Sequence, residues 1–312
     1  MEPHIYKPKF RQLARGMKGS EGPVFNSVGD RFYMVAPEVE VDGEPAGQIL
    51  MVDTATDEVT IVHSPSVGEF GGIPAGCQMD TEDNLWIADM RLGLLCFDTK
   101  SGKCRQICTT DSDGRPMQGC NDCIFDNKGN LWLTAPAGPI APAPYERSMQ
   151  EPFGSLYCYS REGVMKRIDS GYRFPNGVAV QYDGPDAINL IVAETPCKTL
   201  WSLPFTRDNE ENVDVSQKKV FGSCLGSHEG GPDGMDFDSE GNLLVANWGS
   251  GYLDVFGKSG GQPHSRIKLP FERVSNLHFQ PKDKEVYVTE HDSHGLWCFT
   301  WLYPGAPQYC EM

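Results

Sequence analysis

Asn176-Gly-Val-Ala-Val180, followed about ten residues on by Leu190-Ile-Val-Ala-Glu194, decides the fold, because the same pairing recurs along the whole chain. The other pentads are Glu21-Gly-Pro-Val-Phe25, Ala75-Gly-Cys-Gln-Met79, Asn121-Asp-Cys-Ile-Phe125, Asp233-Gly-Met-Asp-Phe237 and Ser275-Asn-Leu-His-Phe279. Their partner strands are Phe32-Tyr-Met-Val-Ala36, Leu85-Trp-Ile-Ala-Asp89, Leu131-Trp-Leu-Thr-Ala135, Leu243-Leu-Val-Ala-Asn247 and Val286-Tyr-Val-Thr-Glu290. Short strands repeating every 40 to 60 residues or so are the mark of radially arranged blades. The expected architecture is all-β: a six-bladed β-propeller with four antiparallel strands per blade, one domain spanning 1–312. Blade one has four candidate strands between Gly22 and His63, whereas blade six has only three by Thr300. Phe10 to Ala14 is therefore expected to supply the outer strand of blade six and close the ring.

In a propeller the equivalent residue of every innermost strand faces one central channel. The first slot of the pentads reads Glu21, Ala75, Asn121, Asn176, Asp233 and Ser275. Glu21, Asn121, Asn176 and Asp233 are strong oxygen donors, and two of them are carboxylates. Such a set suits a hard divalent cation, calcium best, because calcium accepts six to eight oxygens in a flexible shell. Zinc is disfavoured, since no His and Cys cluster falls in this slot. Asn-Gly and Asp-Gly are also tight-turn dipeptides, so Asn176 and Asp233 have a rival reading as turn residues. That reading accounts for Gly in the second slot better than for Glu21 or Asn121. The fourth slot places Asp236 and His278 in adjacent blades. They, with the Leu277 carbonyl, form a candidate second ion site, but calcium seldom takes imidazole, and a buried Asp–His hydrogen bond is the preferred reading on chemistry alone.

The 312 residues give about fifty per blade, and the 34 Gly and 23 Pro suit many short turns. With 27 basic and 43 acidic residues, the formal charge of −16 repels nucleic-acid phosphate and anionic lipid. No apolar run approaches a membrane span, and Met-Glu-Pro-His-Ile-Tyr-Lys is no signal sequence. The eleven cysteines are an odd count without a leader, which points to reduced thiols in a cytoplasmic protein. Cys120 and Cys123 have redox or zinc spacing but no second pair, and read as core packing. The longest irregular stretch, Ala135 to Phe153, is expected to cover one channel mouth.

At these residues the chain closely resembles the squid-type diisopropyl fluorophosphatases, calcium-dependent phosphotriesterases of a wider group with the gluconolactonases and paraoxonases. The resemblance runs through Ala36-Pro-Glu-Val-Glu-Val, Ala88-Asp-Met-Arg-Leu-Gly-Leu-Leu, Met117-Gln-Gly-Cys-Asn-Asp-Cys, Arg147-Ser-Met-Gln, Phe174-Pro-Asn-Gly, Ile191-Val-Ala-Glu-Thr-Pro, Gly234-Met-Asp-Phe-Asp, Val245-Ala-Asn-Trp-Gly-Ser and Val288-Thr-Glu-His. It implies two calcium ions. The catalytic one would be held by Glu21, Asn121, Asn176 and Asp233, the set already picked by the repeat. The structural one would be held by Asp236, the Leu277 carbonyl and His278, which reverses the hydrogen-bond reading. It also implies a substrate pocket of Ile73, Met90, Tyr145, Arg147, Phe174, Thr195, Trp248, Ser275 and His291. Taken alone, His291 is equally a rim histidine, Trp248 a packing aromatic and Arg147 a solvated loop charge. The first residues, the loop near 207–215 and the residues after Cys310 depart from the resemblance.

The activity implied is hydrolysis of organophosphorus triesters and fluorophosphates, with calcium as Lewis acid and Asp233 as nucleophile or water-positioning base. A lactonase of the gluconolactonase or paraoxonase type, and a non-catalytic propeller stapled by calcium, are the alternatives. The expected partner is a small-molecule substrate, met by a monomer.

Overall fold

The computed structural model describes residues 2–138, 140, 148–206 and 212–312. Six blade sheets follow one another around an axis, five of four antiparallel strands and one with a fifth strand at its edge, and two short two-stranded hairpins, Glu40–Val41 with Glu44–Pro45 and Ser66–Val67 with Phe70–Gly71, accompany them. Each starts from an innermost strand that carries a pentad: Glu21–Phe25, Pro74–Met79, Asp122–Phe125, Pro175–Asp183, Pro232–Phe237 and Val274–Phe279. Three of the second strands, Phe32–Ala36, Leu131–Ala135 and Leu243–Asn247, are buried at every residue. That follows from the architecture: a blade sandwiched between two others has no solvent face, so its inner strands are apolar on both sides. Outer strands such as Lys103–Cys108 carry Lys103 and Arg105 instead, charges that protect an open edge.

The core is correspondingly divided into six layers, each shared by two adjacent blades. Leu244, Val255 and Ile267 of blade five meet Leu277, Val286 and Phe299 of blade six, for example. Phe25 and Phe32 of blade one meet Tyr287, Leu296 and Cys298 of blade six, so the ring closes on itself.

The expected closing strand is present. Arg11–Ala14 pairs antiparallel with Gly295–Thr300, Arg11 opposite Cys298 and Gln12 opposite Trp297. One of the blades carries a strand that was not anticipated. His4–Tyr6 adds in parallel to Ser265–Lys268, giving blade five a fifth strand, and Tyr6 stands edge-on to Trp301 at 5.4 Å. The first residues thus clasp two blades rather than one.

All eleven cysteines are described and none forms a disulfide. Cys120 and Cys123 are both buried in the layer between blades two and three. Among the described residues no helix is long and apolar enough to cross a membrane.

Candidate active site

The local backbone explains why the pentads work. In five of the innermost strands the pairing register slips by one residue at the first two slots, as between Pro175 and Val178 or Pro232 and Met235. A bulge of this kind kinks the strand and re-aims a side chain, here the first-slot residue toward the axis. Asn176-Gly177 and Asp233-Gly234 lie inside strands, so the turn reading of these dipeptides falls. The second-slot glycines answer a different demand. A Cβ on Gly177 would lie 2.1 Å from the Asp233 carbonyl oxygen, and one on Gly234 1.9 Å from the Asn276 side chain. In the four blades with glycine at this slot the inner strand leans on the next one here, and a side chain would collide with it.

Glu21, Asn121, Asn176 and Asp233 all line one cavity of about 1110 Å³. Of the expected pocket residues, Ile73, Met90, Phe174, Thr195, Trp248 and His291 line the same cavity. Ser275 does not. Its fully buried hydroxyl donates to the Ser20 carbonyl at 2.8 Å and lies 2.8 Å from Thr289 Oγ1, which makes it a strut behind Glu21. Tyr145 and Arg147 lie outside the described residues.

Asn176 donates through Nδ2 to Thr195 Oγ1 at 3.2 Å, and Thr195 in turn donates to the Pro232 carbonyl at 2.8 Å. Its Oδ1 is the acceptor left for a cation. Glu21 Oε2 accepts from Gly22 N at 2.9 Å and Asn276 Nδ2 at 3.1 Å, yet burial pushes the carboxyl up to about 7. Asp233 is held well above the ordinary carboxylate range by burial and then by the charges of Glu21 and Asp122.

Asp122 was not anticipated as a channel residue. It occupies the second slot of blade three, accepts from Val178 N at 3.1 Å, and is pushed up to about 8 by burial and the Glu21 charge. The signal was present in the sequence: an acid where four of the six blades have glycine. Asn276, the other exception, is the donor to Glu21.

These oxygens fit a hard dication. Buried acids crowded together hold protons, and a divalent ion among them inverts that preference. Among the described residues no three His, Cys, Asp or Glu side chains converge as a metal cluster, so an ion at this point must also take amide oxygens, as calcium does.

Asp122 also lines a deeper cavity of about 20 Å³ together with Asp236, Asn276, Leu277 and His278. That volume matches one water or one ion. His278 Nδ1 stands 3.3 Å from Asp236 Oδ2, but this buried oxygen accepts no hydrogen bond among the described residues. The plain Asp–His hydrogen bond preferred on chemistry alone is thus not made, and the bare acceptor suits a cation.

Two rim features lay beyond the sequence reading. Trp248 Nε1 donates to His291 Nδ1 at 3.2 Å, so Nε2 carries the proton and has no acceptor among the described residues, while burial lowers the imidazole pKa. His291 is therefore arranged as a neutral donor rather than a base. Lys198, at φ 52°, donates to the carbonyls of His228 and Gly230, both at 2.8 Å, and fixes the loop beside the cavity. Neither follows from a local motif.

Residues 19–292 match the family model described as SMP-30/Gluconolactonase/LRE-like region. The chain is 54% identical over its whole length, and over 98% of the other protein, to "Diisopropyl-fluorophosphatase" of Loligo vulgaris. It is 23% identical to "Gluconolactonase" of Zymomonas mobilis, covering 89% of this chain and 77% of that one. A solved structure described as a calcium-binding protein, regucalcin, from Agrobacterium tumefaciens shares the fold at a TM-score of 0.76 and 18% identity, covering 99% of this chain and 98% of that one. The chain belongs to the SMP-30/gluconolactonase/LRE-like family and, within it, to the family of diisopropyl-fluorophosphatase.

Proposed function

We propose that the protein is a calcium-dependent hydrolase of organophosphorus triesters and fluorophosphates that cleaves P–F bonds. One observation carries the reading: a ring of four oxygen donors opening into an apolar-walled cavity, in a chain 54% identical to a diisopropyl-fluorophosphatase. Glu21, Asn121, Asn176 and Asp233 would hold the catalytic calcium; Asp236, the Leu277 carbonyl and His278 would hold a second, structural one. Held there, calcium would supply Lewis-acid polarisation of a phosphoryl oxygen and a positive charge that would keep Asp233 ionised.

The protein's own residues do the rest. Ile73, Met90, Phe174 and Trp248 take the alkyl groups of a neutral triester and exclude water from the reacting face. His291 Nε2–H offers a hydrogen bond from the wall. The Asp233 carboxylate attacks phosphorus, the P–F bond breaks, and fluoride leaves. Water then adds at the Asp233 carboxyl carbon, which releases the phosphorus acid and restores the carboxylate. In the rival mechanism Asp233 is a base that positions the attacking water. We place the enzyme in the cytoplasm as a monomer that acts as one propeller unit.

The family tie to gluconolactonases favours a second reading, in which the same ring polarises a lactone carbonyl. Fluoride release from diisopropyl fluorophosphate is compared with hydrolysis of a sugar lactone, each with and without chelator. The expected outcome is chelator-sensitive fluoride release, with kcat/KM for the lactone at least about a hundredfold lower. A preference for the lactone selects the lactonase; inertness toward both, with calcium present, selects a binding propeller.

A further inference from the structure

The large cavity opens at the first-slot end of the inner strands. At the opposite end, residues 306–312 lie across the channel. Ala306 N donates to the Phe237 carbonyl at 2.9 Å, Tyr309 packs on Phe125 with ring centres 4.9 Å apart, and Cys310 is buried in the layer between blades one and two. The short helix Tyr309–Glu311 is locked by reciprocal bonds between Gln308 and Glu311. The segment thus touches blades from both sides of the ring and seals its far mouth.

One contact reaches the deep cavity. Gln308 Nε2 donates to Asp236 Oδ1 at 3.0 Å, and Phe237 N donates to the same oxygen at 2.8 Å. Asp236 lines both the deep cavity and a second small cavity, of about 30 Å³, against the segment. With Oδ1 doubly bonded, the carboxylate cannot rotate, and Oδ2 is turned toward His278. Hydrogen bonds to carboxylates are strong and directional, and the orientation of a ligand by its outer partners governs metal affinity.

Resting on the reading of Asp236, Leu277 and His278 as an ion site, we infer that Gln308 is a positioning residue for that site, and that segment 306–312 is the barrier its cation must pass to leave. The sequence gives no hint of this, since Gln308 lies outside every repeat.

Gln308→Met keeps the side chain's length and removes both its donor to Asp236 and its acceptor for Glu311 N, so Glu311→Ala, which opens the same reciprocal pair but keeps the donor, is the control. The calcium content of purified protein is counted by mass spectrometry, and release is followed with terbium, by the decay of its luminescence on mixing with chelator. Wild type is expected to carry two ions and release one slowly; Asp236→Ala is expected to carry one and lose the slow phase. Gln308→Met is expected to speed the slow phase about tenfold, while Glu311→Ala leaves it unchanged and melts in chelator at the same temperature as Gln308→Met. If Asp236→Ala loses the slow phase but Gln308→Met leaves it unchanged, the deep site stands and the inference is wrong. If Glu311→Ala speeds the slow phase as much as Gln308→Met does, the role of Gln308 is structural and the inference is again wrong. A wild type with no second ion overturns the site reading and the inference together.

Discussion

Asp233→Ala is expected to lower kcat for fluorophosphate hydrolysis by about a thousandfold or more at saturating calcium. The effect is large because this one side chain serves twice, as the second carboxylate of the ring and as the group that meets phosphorus. Asn176→Ala removes only a neutral oxygen. Its loss is expected to be on the order of 10–100-fold and to be partly recovered by raising calcium, as for a weakened site. The check is steady-state fluoride release by both variants across a calcium titration. An Asp233→Ala enzyme that stays within tenfold of wild type, or recovers fully with calcium, shows that Asp233 is a ligand and nothing more.

Gly177→Ala is expected to have the largest effect on stability of any single methyl addition near the axis. The new Cβ would lie 2.1 Å from a backbone oxygen, Asp233 O, and no side chain can move aside to relieve it. Blades four and five must part where they carry Asn176 and Asp233. Overpacking of this kind costs about 3 kcal/mol, which for a chain of this size lowers Tm by roughly 6 °C. Gly257→Ala is the control, because the nearest atom to its new Cβ is 3.7 Å away and its φ is ordinary. Equal melting of the two variants by calorimetry contradicts the role given to the second slot.

The recurrence of the pentads made the propeller and its axis legible, because a radial fold places equal register at equal depth. Counting strands in blades one and six likewise located the closing strand near residues 10–14. His4–Tyr6 escaped notice because three residues added in parallel at an edge carry no periodicity of their own. At the site, Glu21, Asn121, Asn176 and Asp233 stood in register, and they line one cavity. Asp122 and Asn276 stood one slot further on, where the eye expects glycine, and their meaning appeared only once adjacent inner strands were seen to touch. Ser275 shows the converse. It has the right register, but its short side chain is captured by Ser20 and Thr289 before it reaches the cavity. The Trp248–His291 bond and the grip of Gln308 on Asp236 join residues far apart in sequence and had no local signal.

The central claim is that the Asp233 carboxylate itself attacks phosphorus, and a single turnover in ¹⁸O-water, with enzyme in excess of diisopropyl fluorophosphate, tests it most directly. Attack by Asp233 predicts a first-turnover phosphorus product carrying unlabelled oxygen, and one ¹⁸O in the peptide that contains Asp233. A product that already carries the solvent label stoichiometrically, with Asp233 unlabelled, would contradict it and leave Asp233 as ligand and base to an attacking water.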